Sequence, residues 1–136
     1  MDPLEEAQKV LAAQPFSVLL GAEVTEWGEG RATLELAIRD ELKQQYGFAH
    51  GGVVSYLADN ALTYAAGTVM GHVLTVEMKI NYMRPAVGER LIARAEVLSS
   101  GRTQAVSQCR VYAVKEGVEK LCAAAQGTIA RMAREV

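Results

Sequence analysis

Residues 50 to 61 read His-Gly-Gly-Val-Val-Ser-Tyr-Leu-Ala-Asp-Asn-Ala, and Asp59 is the one Asp, Glu, Lys or Arg between Lys43 and Glu77. An ionised carboxylate in so apolar a segment needs donors, because burying it unpartnered is very costly. Asp is also a poor residue for a helix interior. Composition alone leaves two readings open: a structural acceptor tied to nearby donors, or a general base or nucleophile in a cleft. Gly51 and Gly52 sit where a helix should begin. The first amides of a helix are unbonded donors reinforced by the helix dipole. With no Cβ at Gly51, a substrate oxygen can approach them closely. His50 stands alone, with no Ser or Cys nucleophile beside it, which favours a contact or structural role over a base.

Other candidates surround this stretch. Thr63 follows Asp59 by one turn and shares its helix face. Thr75 opens a strand pattern and, by simple alternation, lies opposite the stripe of Val76, Met78 and Ile80. Gln44 lies in the preceding loop. Arg84 and Arg102 are cations at strand ends; Arg102 follows Gly101, which opens a turn, and a guanidinium suits phosphate.

These residues must be held by some set of elements. Asp2-Pro3-Leu4-Glu5 has the cap, first-turn proline and capping-box spacing of a helix start, and Leu4, Ala7, Val10 and Leu11 continue it at helical intervals. From Val18 the period changes to two, so Leu20, Ala22 and Val24 predict a strand. Gly28-Glu29-Gly30 predicts a turn and Ala32, Leu34, Leu36 and Ile38 a second strand. Residues 40–50 fit neither period. Gly51 to about Val69 is too long for a strand and apolar nearly all round, which predicts a helix buried on most sides. Four more strands follow: Val76–Tyr82, Leu91–Val97, a third centred on Val106–Tyr112, and a last from Leu121 to about Ala130, which Gly127 weakens. Read as a consecutive meander, these strands form an antiparallel sheet that must cover the one buried helix. Its exposed edges predict pairing with a second chain.

The chain has 136 residues, 50% hydrophobic and 22% charged, with net charge −2, as expected of one globular domain over residues 1–136. That charge argues against nucleic acid as a partner. Cys109 and Cys122 come without metal-ligand spacing, so no metal is expected. The segment from Gln44 to Val76 is interrupted by glycines, histidines and Asp59, so no membrane span is expected. The acidic start predicts no secretory signal, and with it a cytoplasmic protein.

The pattern resembles the hotdog-fold thioesterases, most closely the phenylacetic acid degradation (PaaI-type) branch. The likeness runs from about Phe16 to Met132. It rests on His50-Gly51-Gly52 with Asp59 in the following helix, Gly47 in the loop before, Met78 to Tyr82 leading into Arg84-Pro85, and Gly101-Arg102-Thr103. The resemblance implies an α+β hotdog fold: a curved antiparallel sheet of about six strands wrapped round a long central helix, with a short N-terminal helix. It implies an acyl-CoA thioesterase acting on arylacyl substrates such as phenylacetyl-CoA or its hydroxylated forms. A broad short- or medium-chain thioesterase and a non-catalytic acyl-CoA-binding module are the alternatives. Asp59 would be general base or nucleophile, and the Gly51 N–H would polarise the thioester carbonyl. His50 would help orient the thioester or the loop, and Gly52 would contact the substrate. Gln44 stands where many relatives carry Asn. Thr63 would hold the attacking water or bond back to the Asp59 carbonyl; Thr75 would pack or touch substrate; Arg84, Gly101 and Arg102 would meet coenzyme A. No cofactor is implied, coenzyme A being part of substrate and product.

Gly51 and Asp59 are eight residues apart, so on one helix their backbones are separated by roughly 12 Å. A thioester carbon must lie near both the attacking group and the oxyanion donors. A short Asp side chain cannot bridge that gap. The expectation is a site shared between two chains, with a homodimer as the minimal active unit and, from the resemblance, a tetramer made of two dimers.

Overall fold

The computed structural model describes residues 2–133. Helix α1 (Pro3–Ala12) starts as its sequence predicts: Asp2 Oδ1 accepts the Glu5 N–H at 2.9 Å, and the helix buries Ala7 and Leu11. The strand predicted from Val18 is instead a second helix, α2 (Pro15–Leu20), and β1 begins only at Glu23. A short apolar run satisfies either period. Pro15 in the first turn and Gly21 in the left-handed region (φ 76°) at the C-cap select helix here. Arg39 reinforces that end by donating to the Leu19 and Leu20 carbonyls at 2.5 and 2.9 Å.

Strands β1 (Glu23–Gly28) and β2 (Arg31–Ala37) form a hairpin. After a 3-10 turn at Asp40–Leu42 and a loop comes the central helix α3 (Gly51–Met70), then β3 (Val73–Tyr82), β4 (Arg90–Ser100), β5 (Gln104–Lys115) and β6 (Val118–Arg131). The strands form one six-stranded sheet in the order β1-β2-β4-β5-β6-β3, with every pair antiparallel. This corrects the expected consecutive meander, because β3 lies at the far edge and β4 pairs with β2. The cause is α3, whose 20 residues span about 30 Å, enough to carry the chain across the sheet before β3 begins.

The sheet curves round α3 as the hotdog arrangement requires. Leu34, Leu36, Leu91, Val111 and Ile129 on its inner face, and Leu57, Ala61, Leu62 and Ala65 on the helix, are all fully buried. Cys109 and Cys122 are free thiols within this core. Several residues of α3 escape full burial, among them a stripe of Ser55, Asp59, Thr63 and Gly67, spaced by four residues and each half-buried. That stripe lies on the side of β3, whose other edge pairs with no strand among the described residues.

Strand β3 departs from simple alternation. A bulge between Thr75 and Glu77 puts Val73 and Thr75 on the same inward face as Met78 and Ile80, while Val76 is 56% exposed. The predicted stripe of Val76, Met78 and Ile80 is therefore wrong by one residue before the bulge. Gly127, opposite Met78, makes room for it: a Cβ there would lie 2.7 Å from the Glu77 carbonyl oxygen and 3.2 Å from Leu62 Cδ1. The glycine that weakens β6 in sequence terms is what lets the bulged strand and the helix close on each other.

Candidate active site

Two clefts flank α3, and the principal candidates divide between them. The first, about 370 Å³, opens at the helix start and is lined by Phe48, Gly51, Val54, Tyr82, Arg84 and Cys122 among others. His50 is the N-cap, its Nδ1 accepting the Gly52 N–H at 2.8 Å. A Cβ at Gly52 would lie 2.9 Å from that nitrogen, so Gly52 is glycine because the cap needs the space. Its amide is thereby committed to His50, which leaves no free N–H at Gly52 for a substrate oxygen. The Gly51 N–H, by contrast, meets no acceptor among the described residues. A Cβ at Gly51 would be 3.6 Å from the Tyr82 ring, an ordinary contact. Gly51, its amide unbonded, thus lines the cleft beside the Tyr82 ring, at the positive end of the helix dipole.

The thiol in this cleft is not a competing nucleophile. Burial pushes the Cys122 pKa up, and its Sγ–H donates to the Val111 carbonyl at 3.3 Å.

The second cleft, about 310 Å³, surrounds Asp59 with Gln14, Tyr56, Asn60, Thr63, Val73 and Thr75 at its walls. Thr75 Oγ1 donates to Asp59 Oδ1 at 2.6 Å, a short charge-assisted bond. The other carboxylate oxygen accepts no hydrogen bond among the described residues, so Asp59 is held by one oxygen and offers the second to the cleft. Thr63 Oγ1 donates to the Asn60 carbonyl at 2.8 Å. The back-bond anticipated at Asp59 thus goes one residue further on, and the Thr63 oxygen keeps acceptor capacity toward the cleft.

Sequence reasoning missed the far wall of this cleft. Gln14 caps α2, and its Oε1 accepts from Ser17 Oγ at 2.6 Å; Tyr56 donates to the same Ser17 oxygen at 2.6 Å, and Asn60 Nδ2 donates to Tyr56 at 3.1 Å. Gln14 Nε2 reaches Tyr64 Oη at 3.3 Å, and Phe16 stands edge-on to Tyr56 with centroids 5.3 Å apart. Burial, with Tyr56 nearby, pushes the Tyr64 pKa up to about 12, so its hydroxyl stays neutral. This network fixes α2 against the turn of α3 that carries Asp59. The available signal was Gln14 ahead of Pro15 as a helix start, hidden by reading the segment as a strand.

The remaining candidates stand apart from Asp59. Gln44 turns back on its own loop, its side-chain oxygen accepting the Tyr46 N–H, and it lines neither cleft. Arg84 lines the Gly51 cleft. Gly101 and Arg102 lie exposed in the β4–β5 turn, where Gly101 donates to the Gln104 carbonyl at 2.8 Å, and neither cleft includes them. Within one chain, then, Gly51 and Asp59 line different clefts.

Comparison with known proteins places the chain in a family. The thioesterase superfamily model matches residues 46–120, which include both Gly51 and Asp59. A thioesterase family protein from Silicibacter pomeroyi is 39% identical with a TM-score of 0.89, over 93% of this chain and 95% of that one. Human acyl-coenzyme A thioesterase 13 is 34% identical, over 75% of this chain and 76% of its own length. A mutant of the phenylacetic acid degradation protein PaaI from Thermus thermophilus is 33% identical with a TM-score of 0.77, over 88% of this chain and all of that one (100%). The chain belongs to the thioesterase superfamily. It is a thioester hydrolase, and among the described residues no helix is long and apolar enough to cross a membrane.

Proposed function

We propose that the protein hydrolyses acyl-CoA to the free acid and CoA, with arylacyl thioesters such as phenylacetyl-CoA and its hydroxylated forms as the preferred class. The observation that carries the hydrolysis is the division of labour in α3: an unbonded Gly51 N–H at its start and an Asp59 carboxylate, half-engaged by Thr75, two turns later. The arylacyl preference is supported by the likeness to the PaaI protein.

The two halves meet in a homodimer. Gly51 lies against the Tyr82 end of β3 and Asp59 against its Thr75 end. A two-fold axis through the middle of β3, pairing the free edges antiparallel, sets the Tyr82 end of one strand beside the Thr75 end of the other. Leu74, Val76, Tyr82 and Met83 on that edge are each half or more exposed in the single chain, apolar surface that such pairing covers. The Gly51 N–H of one chain then polarises the thioester carbonyl while Asp59 of the other activates water or attacks directly, forming a mixed anhydride that water cleaves. Thr63 takes the water as an acceptor. Arg84, which lines the Gly51 cleft, and Arg102 contact the phosphates of coenzyme A, and two dimers associate into a tetramer.

A broad short- and medium-chain specificity is the second reading, favoured by an apolar cavity beside the Asp59 cleft. CoA release from phenylacetyl-CoA and straight-chain acyl-CoAs tests both. Fastest turnover of phenylacetyl-CoA supports the arylacyl preference, and fastest turnover of straight chains supports the second reading. No turnover of any would leave only a binding module and sink the proposal.

A further inference from the structure

Gly67 is the residue of α3 least explained by the fold. Glycine is among the costliest residues in a helix interior. Its backbone here is not in the left-handed region, and a Cβ built on it would meet nothing within 4 Å. Neither turn geometry nor a close neighbour calls for glycine. What the missing side chain preserves is open space.

That space is a cavity of about 320 Å³ between α1 and the second half of α3, lined by Ala7, Val10, Trp27, Gly67 and Val73 and also by Glu6, Tyr64 and His72. Its walls are more apolar than the carboxylate, amide and hydroxyls around Asp59. The two are neighbours: Gln14, Thr63 and Val73 line both. Asp59, Thr63 and Gly67 follow one another at four-residue intervals on one helix face. Gly67 therefore lies roughly 12 Å along the helix from Asp59, beyond the reach of a two- or four-carbon acyl group.

We infer that this cavity receives the distal carbons of a medium-length acyl chain whose thioester lies at Asp59, and that Gly67 sets the length tolerated. The inference rests on the thioesterase reading in its short- and medium-chain form and adds where the acyl tail goes. A chain passing Thr63 exchanges water for the apolar walls formed by Val10, Trp27 and Val73, so longer chains gain affinity until a side chain at residue 67 blocks the way. The hydroxyls and amide at the neck, held by their own hydrogen bonds, leave the passage lined but not closed.

The test is kcat/KM for butyryl-, octanoyl- and decanoyl-CoA in wild type, Gly67→Val and Val10→Phe. Val10→Phe narrows the cavity from the opposite wall at a residue 55% exposed, so it remains informative if Gly67→Val folds poorly. In both variants the ratio of octanoyl to butyryl kcat/KM should fall by roughly ten-fold or more, and the ratio for decanoyl further. Equal losses at every length, or no change, overturn the inference. So does a wild type that cleaves butyryl-CoA but not octanoyl-CoA, which leaves the thioesterase reading standing. Absence of CoA release from all three overturns the inference, and absence of release from phenylacetyl-CoA as well overturns both.

Discussion

On the proposed mechanism the group that the Gly51 cleft supplies belongs to the main chain, whereas the group that the Asp59 cleft supplies belongs to a side chain. The first needs little machinery: a helix start, a histidine cap that occupies the Gly52 amide, and an aromatic wall from Tyr82. The second depends on contacts gathered from across the fold. Asp59 comes from α3, Thr75 from a bulged edge strand, and the opposite wall from α2 through Gln14, Ser17 and Tyr56. A backbone donor is placed by helix geometry alone. A carboxylate in an apolar helix must be placed by tertiary structure.

That contrast can be broken at either end. Asp59→Asn keeps the shape and removes the charge, and should lower kcat for acyl-CoA hydrolysis by roughly a thousand-fold while CoA-ester binding, measured by calorimetry, persists. Gly51→Pro is the matching change in the first cleft. Proline suits the first helical position, and His50 is already extended (ψ 138°) as a residue before proline should be. It removes little beyond the N–H, and kcat should fall by about a hundred-fold or more with the helix intact by circular dichroism. Retention of full activity in either variant would remove that residue from the mechanism.

Smaller changes sharpen the comparison. Thr75→Val keeps the packing but frees Asp59 Oδ1. Loss of a charge-assisted hydrogen bond predicts roughly a ten-fold fall in kcat, with little effect on KM. Unchanged kcat would make the Thr75 contact purely structural. His50→Ala should cost about 1 kcal/mol in urea unfolding through loss of the cap, and His50→Asn should recover most of it. A kcat loss that Asn does not rescue would give His50 a chemical role instead.

The sequence made the first cleft more legible than the second. His50, Gly51 and Gly52 act within three adjacent residues, so their roles follow from local helix geometry, apart from the cap that claims Gly52. Asp59 was visible as an isolated charge, but its partner was not. Alternation along β3 placed Thr75 on the wrong face, because a bulge leaves its trace in Gly127 on the neighbouring strand rather than in β3 itself. The α2 wall was lost for a related reason: in Phe16–Leu20 both periods fit, and Pro15 and Gly21 settle the matter. Six strands and the central helix were legible from periodicity, yet their order was not, since strand order depends on where a 30 Å helix delivers the chain. Gln44 points back into its loop because a turn at residues 44–47 offers its amide a backbone partner that no spacing rule reveals.

The central claim is that the amide and the carboxylate of one site come from two chains, and mixing two dead enzymes tests it most directly. Asp59→Ala and Gly51→Pro proteins, unfolded together and refolded as a mixture, assort at random. A shared site predicts that roughly a quarter of sites combine an intact Gly51 from one chain with an intact Asp59 from the other, so about a quarter of wild-type CoA release should return. Activity that stays at the level of the two separate variants, despite confirmed mixed oligomers, would place both groups in one chain and contradict the account.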